Sequence, residues 1–339
     1  MSKSVLAIDG GGSKTLVAIA DPSGVVTRLA GGAGVNPMDN PQWRQNLASL
    51  LEAFAVVGTE VAAAVAALPS YGEVAAVSAR QRYAVDALLE TVPQRLVNDV
   101  DAAHLGAFAG GPGILILAGT GSMAWARDST GASYRVGGWG EGFGDEGSGY
   151  WIGLRAVQLA SHHLDGRTTA PGLVDGLFAG LGLDPSKPQD SLGGWFGSLK
   201  HRRSEVALLA PLVDALAQRG DPTALAIIEE AASHLALHAT AIGRRMGAGA
   251  PSGWSYAGGA FHSALLREAV ARQLGVDPLP PRLPPIGGAL LAAATDAGWP
   301  IDDAWIARLA ISLGRALAVP AGSTAHPNDK TPRGEQGYA

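Results

Sequence analysis

The chain has no cysteine, which excludes disulfides, thiolate nucleophiles, Fe–S clusters and cysteine-ligated zinc. Charge is scarce too. Of 339 residues only 16% are Asp, Glu, Lys or Arg, against 47% hydrophobic ones. That balance leaves few charges for a disordered interaction region and describes a globular protein long enough for two domains and a sizeable core. The formal net charge of -5 offers no concentrated positive field for a nucleic-acid backbone. The one dense basic cluster, Lys200-His201-Arg202-Arg203, reads as a solvated loop or helix start, with an anion site as the alternative. Long apolar runs are lacking as well: none approaches the roughly 20 residues of a membrane span. The run after Lys3 is interrupted by Asp9 and is too short for a signal peptide. The expectation is a cytoplasmic protein with neither nucleic acid nor membrane among its partners.

What the chain does have is glycine in telling places. Leu6-Ala7-Ile8-Asp9 is a short apolar run ending on a carboxylate, followed by Gly10-Gly11-Gly12 and then Ser13-Lys14-Thr15. Three consecutive glycines add no packing. Their use is to let backbone N–H groups approach something bulky and anionic, and a nucleotide phosphate fits. The pattern recurs where Ile114-Leu115-Ile116-Leu117-Ala118 runs into Gly119-Thr120-Gly121-Ser122 and a second apolar run, Met123–Ala126. Two such loops, each between strand-like runs, imply a duplicated nucleotide-binding fold.

The periodicity predicts strands over Val5–Asp9, Leu16–Asp21 and Val25–Ala30, joined by a tight Pro22-Ser23-Gly24 turn into an antiparallel meander. A helix over Trp43–Val57, a strand Val61–Leu68, a helix Val74–Val92 and a strand at Leu96-Val97 follow, the last ending at Asn98-Asp99, a position where open α/β sheets bind ligands. After Ser133–Val136 the glycine-rich stretch Gly137–Gly149 leads to a helix Tyr150–His163 and a largely helical region that includes Val206–Arg219 and Pro222–Met246. Trp254–Ala257 reads as a strand before Gly258-Gly259. Leu265–Leu274 is helical, Pro278–Pro285 is a connector leading through Gly287-Gly288 into a helix Ala289–Ala297, and a last helix covers Asp302–Ala318. Residues 321–339 are polar and aperiodic, the pattern of a disordered tail.

Seven ordered segments, IDGGGSKT at 8–15, VN at 35–36, ND at 98–99, AGTGS at 118–122, GGWGEGFGDEGSGYWIG at 137–153, AGGAF at 257–261 and PPIGGALLAA at 284–293, together resemble the sugar kinase, actin and heat-shock chaperone superfamily. Within it the chain is similar to the BadF/BadG and N-acetylglucosamine kinase group. The resemblance implies an α/β, two-lobed actin-like ATPase (ribonuclease H-like) fold with duplicated βββαβαβα domains, a first lobe at 1–117, a second at 118–320 with a helical insertion, and a nucleotide cleft between them. It implies ATP and Mg²⁺ as cofactors, a homodimer, and phosphorylation of the 6-hydroxyl of an amino sugar. N-acetylglucosamine comes first, then glucosamine, then N-acetylmuramic acid.

The residue roles follow from that scheme. Gly10, Gly11, Gly12, Ser13, Lys14 and Thr15 would hold phosphate, Gly119, Thr120 and Gly121 would close from the other lobe, and Gly258, Gly259 and Ala260 would meet the adenosine. Asp9 would hold Mg²⁺ through water. Asp99 is the expected base that orients and deprotonates the acceptor hydroxyl, with Asp101 as its rival. Asn36, Asp99, Ser122, Met123, Gly138, Trp139, Gly140 and Asp145 would line the sugar site, and Glu141 and Glu146 are left as surface or structural carboxylates. His234 and His238, four apart on one helix, are a weak zinc candidate. Two other functions share the fold. Radical-dehydratase activators hold an Fe–S cluster on cysteines, which this chain lacks; a non-catalytic sugar sensor would have no use for Asp99.

Overall fold

The computed structural model describes residues 3–12, 14–38, 40–53, 60–247 and 253–318. Ser13, the C-terminal end of the helix expected to reach Val57 and the expected tail at 321–339 lie outside the described residues. The first sheet contains β1 (Ser4–Gly10), β2 (Lys14–Ala20), β3 (Val26–Ala33), β4 (Val61–Leu68) and β5 (Gln94–Asn98) in the order β3-β2-β1-β4-β5. β1 runs antiparallel to β2 and parallel to β4. Its side chains alternate between two buried faces, which explains a continuous apolar run in place of a polar/apolar alternation. Leu6 and Ile8 pack with α1 (Trp43–Ala53) and α2 (Ala75–Leu88). Val5 and Ala7, with Ala18, Ala20 and Ala67, form the other face.

That second face carries a correction. The helices that cover it are α11 (Pro285–Asp296) and α12 (Asp303–Ala318), from the far end of the described chain. The division at 117/118 therefore does not describe the packing: the first lobe is discontinuous and includes both. Gly287-Gly288 also lies inside α11, not ahead of it. The reason is a helix crossing. A Cβ on Gly288 would lie 2.0 Å from Ala102 O and 2.4 Å from Gly106 N on α3 (Asp99–Phe108), and a Cβ on Gly106 would lie 2.8 Å from Leu283 O and Pro284 O.

The second sheet, β6 (Gly113–Ala118), β7 (Ser122–Arg127), β8 (Ser133–Gly137) and β9 (Trp254–Ala257), has the order β8-β7-β6-β9. It repeats the first four places of the other sheet, with β6 antiparallel to β7 and parallel to β9. The chain then runs beside β9, where Leu279 N–H donates to Trp254 O at 2.7 Å, but Pro278, Pro280 and Pro281 lack the donors that a fifth strand needs. Around this sheet pack α4 (Gly149–Leu164), α5 (Pro171–Leu181), α6 (Pro188–Ser198), α7 (Arg202–Ala207), α8 (Ala210–Gln218), α9 (Pro222–Met246) and α10 (Ala264–Leu274). The helix expected over Val206–Arg219 is two helices: Pro211 removes an N–H and crowds the carbonyl of Ala207, so the chain breaks at Leu208-Leu209.

α3 serves both lobes. Ala102 and Leu105 belong to the core under the first sheet, whereas Val100, Ala103 and Ala107 pack with Leu115 and Met123 of the second. Among the described residues no helix is long and apolar enough to cross a membrane. Gly288→Ala is expected to cost about 3 kcal/mol in urea unfolding, because a methyl group there meets backbone that cannot yield. Gly12→Ala, whose Cβ meets nothing within 4 Å, serves as the neutral control.

Candidate active site

The cleft begins at the C-terminal edge of the first sheet. Asp9 on β1 pairs with Ala67 on β4, and Leu68 pairs with Asn98 on β5, so three adjacent parallel strands deliver their ends to one place. The glycine loop sits there. Gly11 N–H donates to Lys14 O at 2.9 Å, and Val35 N–H donates to Gly11 O at 3.0 Å. Those bonds close the hairpin, leaving Gly12 exposed at its tip. Thr15, expected at the phosphate, is fully buried and donates its hydroxyl to Ala33 O at 2.9 Å, so its side chain belongs to the sheet. Gly10 is buried as the last residue of β1, while Lys14 is exposed at the start of β2.

Asn98 caps α3 by accepting from Val100 N–H at 3.0 Å, which makes Asp99 the helix's first residue, with Asp101 two residues on. The two carboxylates meet different fates. Asp101 is buried and held by Arg127 of β7, with Nη2 at 2.9 and 3.0 Å from its two oxygens. Asp99 is half-buried, and among the described residues no cation pairs with it. Burial pushes its pKa up to about 7, helped by the nearby charges of Asp9 and Glu73 and opposed by the Val100 N–H. Asp9 is likewise raised to about 7 by burial, with Lys14 pulling the other way. Two carboxylates facing one cleft, neither in a salt bridge among the described residues, suit a hard divalent ion with oxygen ligands.

The second lobe supplies the opposite wall. The loop Gly119-Thr120-Gly121 is clamped onto the start of α4, where Gly149 N–H donates to Gly119 O at 2.8 Å and Tyr150 N–H to Thr120 O at 3.3 Å. The late glycine pair touches the same loop: Gly258 has φ +98°, and a Cβ there would lie 2.4 Å from Ala118 O. Gly259 and Ala260 open a 3-10 turn over Gly259–His262. Beside them lies a cavity of about 440 Å³ lined by Tyr256, Gly258, Phe261 and His262 on one side and Pro281–Pro285 with α12 on the other. That volume is within the range of ordinary small-molecule sites, ~300–1,000 Å³.

The stretch after β8 folds back on this loop. Asp145, buried and at φ +62°, accepts from Ser122 N–H at 3.2 Å and from Arg203 at 2.7 Å and 3.1 Å. The Ser122 hydroxyl, expected to face the sugar, donates to Glu146 O at 2.6 Å and is taken up in holding the loop. Arg203 also reaches Glu141 at 3.4 Å. Met123 is buried against Gly138. Trp139 is 68% exposed, with Phe143 6.4 Å away and the Arg135 guanidinium 6.0 Å from its ring. Gly140 has φ +85°. On the first lobe, Asn36 is buried and accepts from Met38 N–H at 3.1 Å.

Sequence reasoning missed Arg203, Glu73 and Arg135. Arg203 had a visible signal, the basic cluster 200–203, read there as solvated; the other two had none. His234 packs edge-on to Trp151, and His238 lies under Gly137, 3.9 Å from Glu146. Among the described residues no group of three His, Cys, Asp or Glu could hold a metal.

Comparison with known proteins adds the following. A family model described as the BadF/BadG/BcrA/BcrD ATPase family matches residues 6–293. The N-acetylmuramic acid/N-acetylglucosamine kinase of Clostridium acetobutylicum is 29% identical over 247 residues, 71% of this chain and 79% of that protein. The N-acetyl-D-glucosamine kinase of Dictyostelium discoideum is 34% identical over 126 residues, 36% of this chain and 38% of its own. Among solved structures, a candidate N-acetylglucosamine kinase from Chromobacterium violaceum matches with TM-score 0.67 and 28% identity over 86% of this chain and 98% of its own. A ROK family glucokinase from Streptomyces griseus, solved with glucose and AMPPNP, matches with TM-score 0.56 and 16% identity over 86% and 98%. The two-lobed actin-like fold is thereby established.

The raised pKa of Asp99 has a consequence for stability. In metal-free protein its folded value, about 7, lies above the unfolded value near 3.9, so the fold favours the protonated form. That contribution is fully present below pH 4 and lost as pH rises through 7. Asp99→Asn, which keeps an oxygen for the Val100 N–H, should match the parent in thermal unfolding at pH 4 and exceed it by about 1–2 kcal/mol at pH 8.

Proposed function

The chain belongs to the BadF/BadG/BcrA/BcrD ATPase family, and we propose that it is an ATP-dependent sugar kinase acting on the 6-hydroxyl of an amino sugar, N-acetylglucosamine ahead of glucosamine. The observation that carries this reading is the unequal fate of two neighbouring carboxylates. Asp101 is spent on Arg127, while Asp99 stands at the cleft with a pKa poised near 7. A base whose pKa lies near the working pH combines a large ionised fraction with useful proton affinity. The Clostridium acetobutylicum relative, with its two amino-sugar substrates, supports the acceptor class.

In this reading Asp99 accepts the hydrogen bond of the 6-hydroxyl, aligns its oxygen with the γ-phosphorus and takes its proton as the new O–P bond forms and the bond from the γ-phosphorus to the β–γ bridging oxygen breaks, releasing ADP. The loop tip at Gly12 and the loop Gly119–Gly121 approach the phosphates from opposite lobes, with Lys14 adding positive charge. The adenosine half occupies the cavity beside Gly258. Asp9 would hold Mg²⁺ through water and the ion would offset phosphate charge, which leaves the Asp99 carboxylate to the acceptor hydroxyl. Asn36 and the glycine-rich loop from Gly138 to Asp145 recognise the sugar, each unpaired partner costing a poorer substrate on the order of 1 kcal/mol or more. Asp145 acts from beneath, because its oxygens already hold Ser122 and Arg203.

Two experiments test this. Coupled ADP release across glucose, glucosamine, N-acetylglucosamine, N-acetylmannosamine and N-acetylmuramic acid should give the highest kcat/KM for N-acetylglucosamine; equal efficiency on glucose would overturn the amino-sugar assignment. In the same assay Asp99→Asn should lose on the order of 10²–10⁴-fold in kcat with ATP affinity kept. Asp101→Asn should instead lower thermal stability while the kcat of its folded fraction stays within about tenfold of the parent's. The phosphate loop is tested separately by calorimetry. Gly12→Val should weaken ATP by tenfold or more in a protein that melts normally, since its Cβ meets no neighbour. Gly11→Val is the poorer probe, its Cβ lying 2.9 Å from Lys14 O within the hairpin.

A further inference from the structure

Glu73 lies on the loop between β4 and α2, on the first lobe. One of its oxygens accepts from Asn98 Nδ2 at 3.0 Å, and the same amide donates to Tyr71 O at 2.9 Å. With its amide so held, Asn98 turns its oxygen to the Val100 N–H and caps α3 immediately before Asp99. Arg135 lies on β8, on the second lobe. Its Nε donates to Gly137 O at 3.2 Å and another N–H donates to Gly138 O, so it grips the loop expected to bind sugar by two carbonyls, with the Trp139 ring beside it. Arg135 Nη1 stands 3.4 Å from the second oxygen of Glu73.

We propose that Glu73 and Arg135 are positioning residues forming a latch across the cleft, which sets the sugar loop of one lobe in register with the helix start that carries Asp99 on the other. The proposal rests on the kinase reading for its kinetic arm. Its structural arm stands alone. The side chains are 22% and 30% exposed, a degree at which an ion pair is weak and salt-sensitive. Weakness suits a contact that must form and break as the lobes close and open. Asp101 and Arg127 tie the first turn of α3 to β7 directly, so this turn is joined to the second sheet twice. The direct tie is fully bonded, whereas the tie through Asn98, Glu73 and Arg135 contains one long link.

The test is a double-mutant cycle. Glu73→Gln keeps an oxygen for Asn98 and loses the charge; Arg135→Gln removes the cation; Arg135→Lys keeps it. Kinetics with N-acetylglucosamine, calorimetry with ATP, and small-angle scattering of ligand-free protein at low and high salt are measured on the parent, the singles and the double variant. Each neutral single should raise the sugar KM about 3- to 10-fold with ATP affinity unchanged, the double should lose no more than the worse single, and Arg135→Lys should recover most of the loss. At low salt the neutral variants should have a larger radius of gyration than the parent, and high salt should abolish the difference. Losses that multiply in the double variant, or singles matching the parent in both KM and radius, overturn the latch. A parent that phosphorylates no amino sugar yet shows the salt-dependent radius refutes the kinase reading and leaves the latch standing. Should Arg135→Gln fail to fold, the comparison of Glu73→Gln with Arg135→Lys decides.

Discussion

The crossing of α3 and α11 is the constraint on which the other arrangements depend. Helix axes ordinarily stay 8–10 Å apart because side chains fill the contact, but here Gly106 and Gly288 place backbone against backbone. That approach seats α11 on the alanine-lined face of the first sheet, where Ala7, Ala18 and Ala67 leave little depth to fill. It also fixes α3, whose opposite face packs on the second sheet through Val100, Ala103 and Ala107. One helix therefore sets where both lobes meet, and its first residue is Asp99. Any displacement of the crossing moves the carboxylate relative to both glycine loops.

Charge in the cleft is unbalanced in a useful way. In a chain with only 16% charged residues, Asp9 and Glu73 both lie within electrostatic reach of Asp99. The cations nearby answer only part of this: Lys14 acts on Asp9, and Arg135 meets Glu73 at 3.4 Å. The ligand-free protein carries a cost at neutral pH that a cation or a protonated Asp99 relieves. Ligand-free stability given up in this way is what the proposed site, with a hard ion and a proton acceptor, would require.

How much of this was legible in sequence depends on the range of the interaction. Val61–Leu68, Trp254–Ala257 and Pro222–Met246 have the bounds their periodicity predicts, because each is decided by its own apolar pattern. The glycine loops were legible for the same reason. Long-range packing was not. Nothing local says that α11 and α12 cover the first sheet, or that glycines at 287 and 288 belong within a helix. The prolines at 278, 280 and 281 were visible, but that they deny the second sheet a fifth strand becomes evident only beside β9. In the candidate site, motif points to Asp9, Asp99 and Asp145 but not to their charged surroundings: Glu73, Arg135 and Arg203 lie 26, 36 and 58 positions from the carboxylates Asp99, Asp99 and Asp145.

The choice between Asp99 and Asp101 shows why the second kind of information decides mechanism. By spacing alone either can end a strand and begin a helix, and both are favoured in a first turn by the helix dipole. Two residues along a helix, however, point about 200° apart, so one of the pair must face away from whatever the other faces. Arg127 on β7 claims Asp101 with both oxygens engaged, which leaves the cleft to Asp99. The same guanidinium that engages Asp101 ties α3 to the second sheet, so the rival carboxylate holds in place the helix that carries the proposed base.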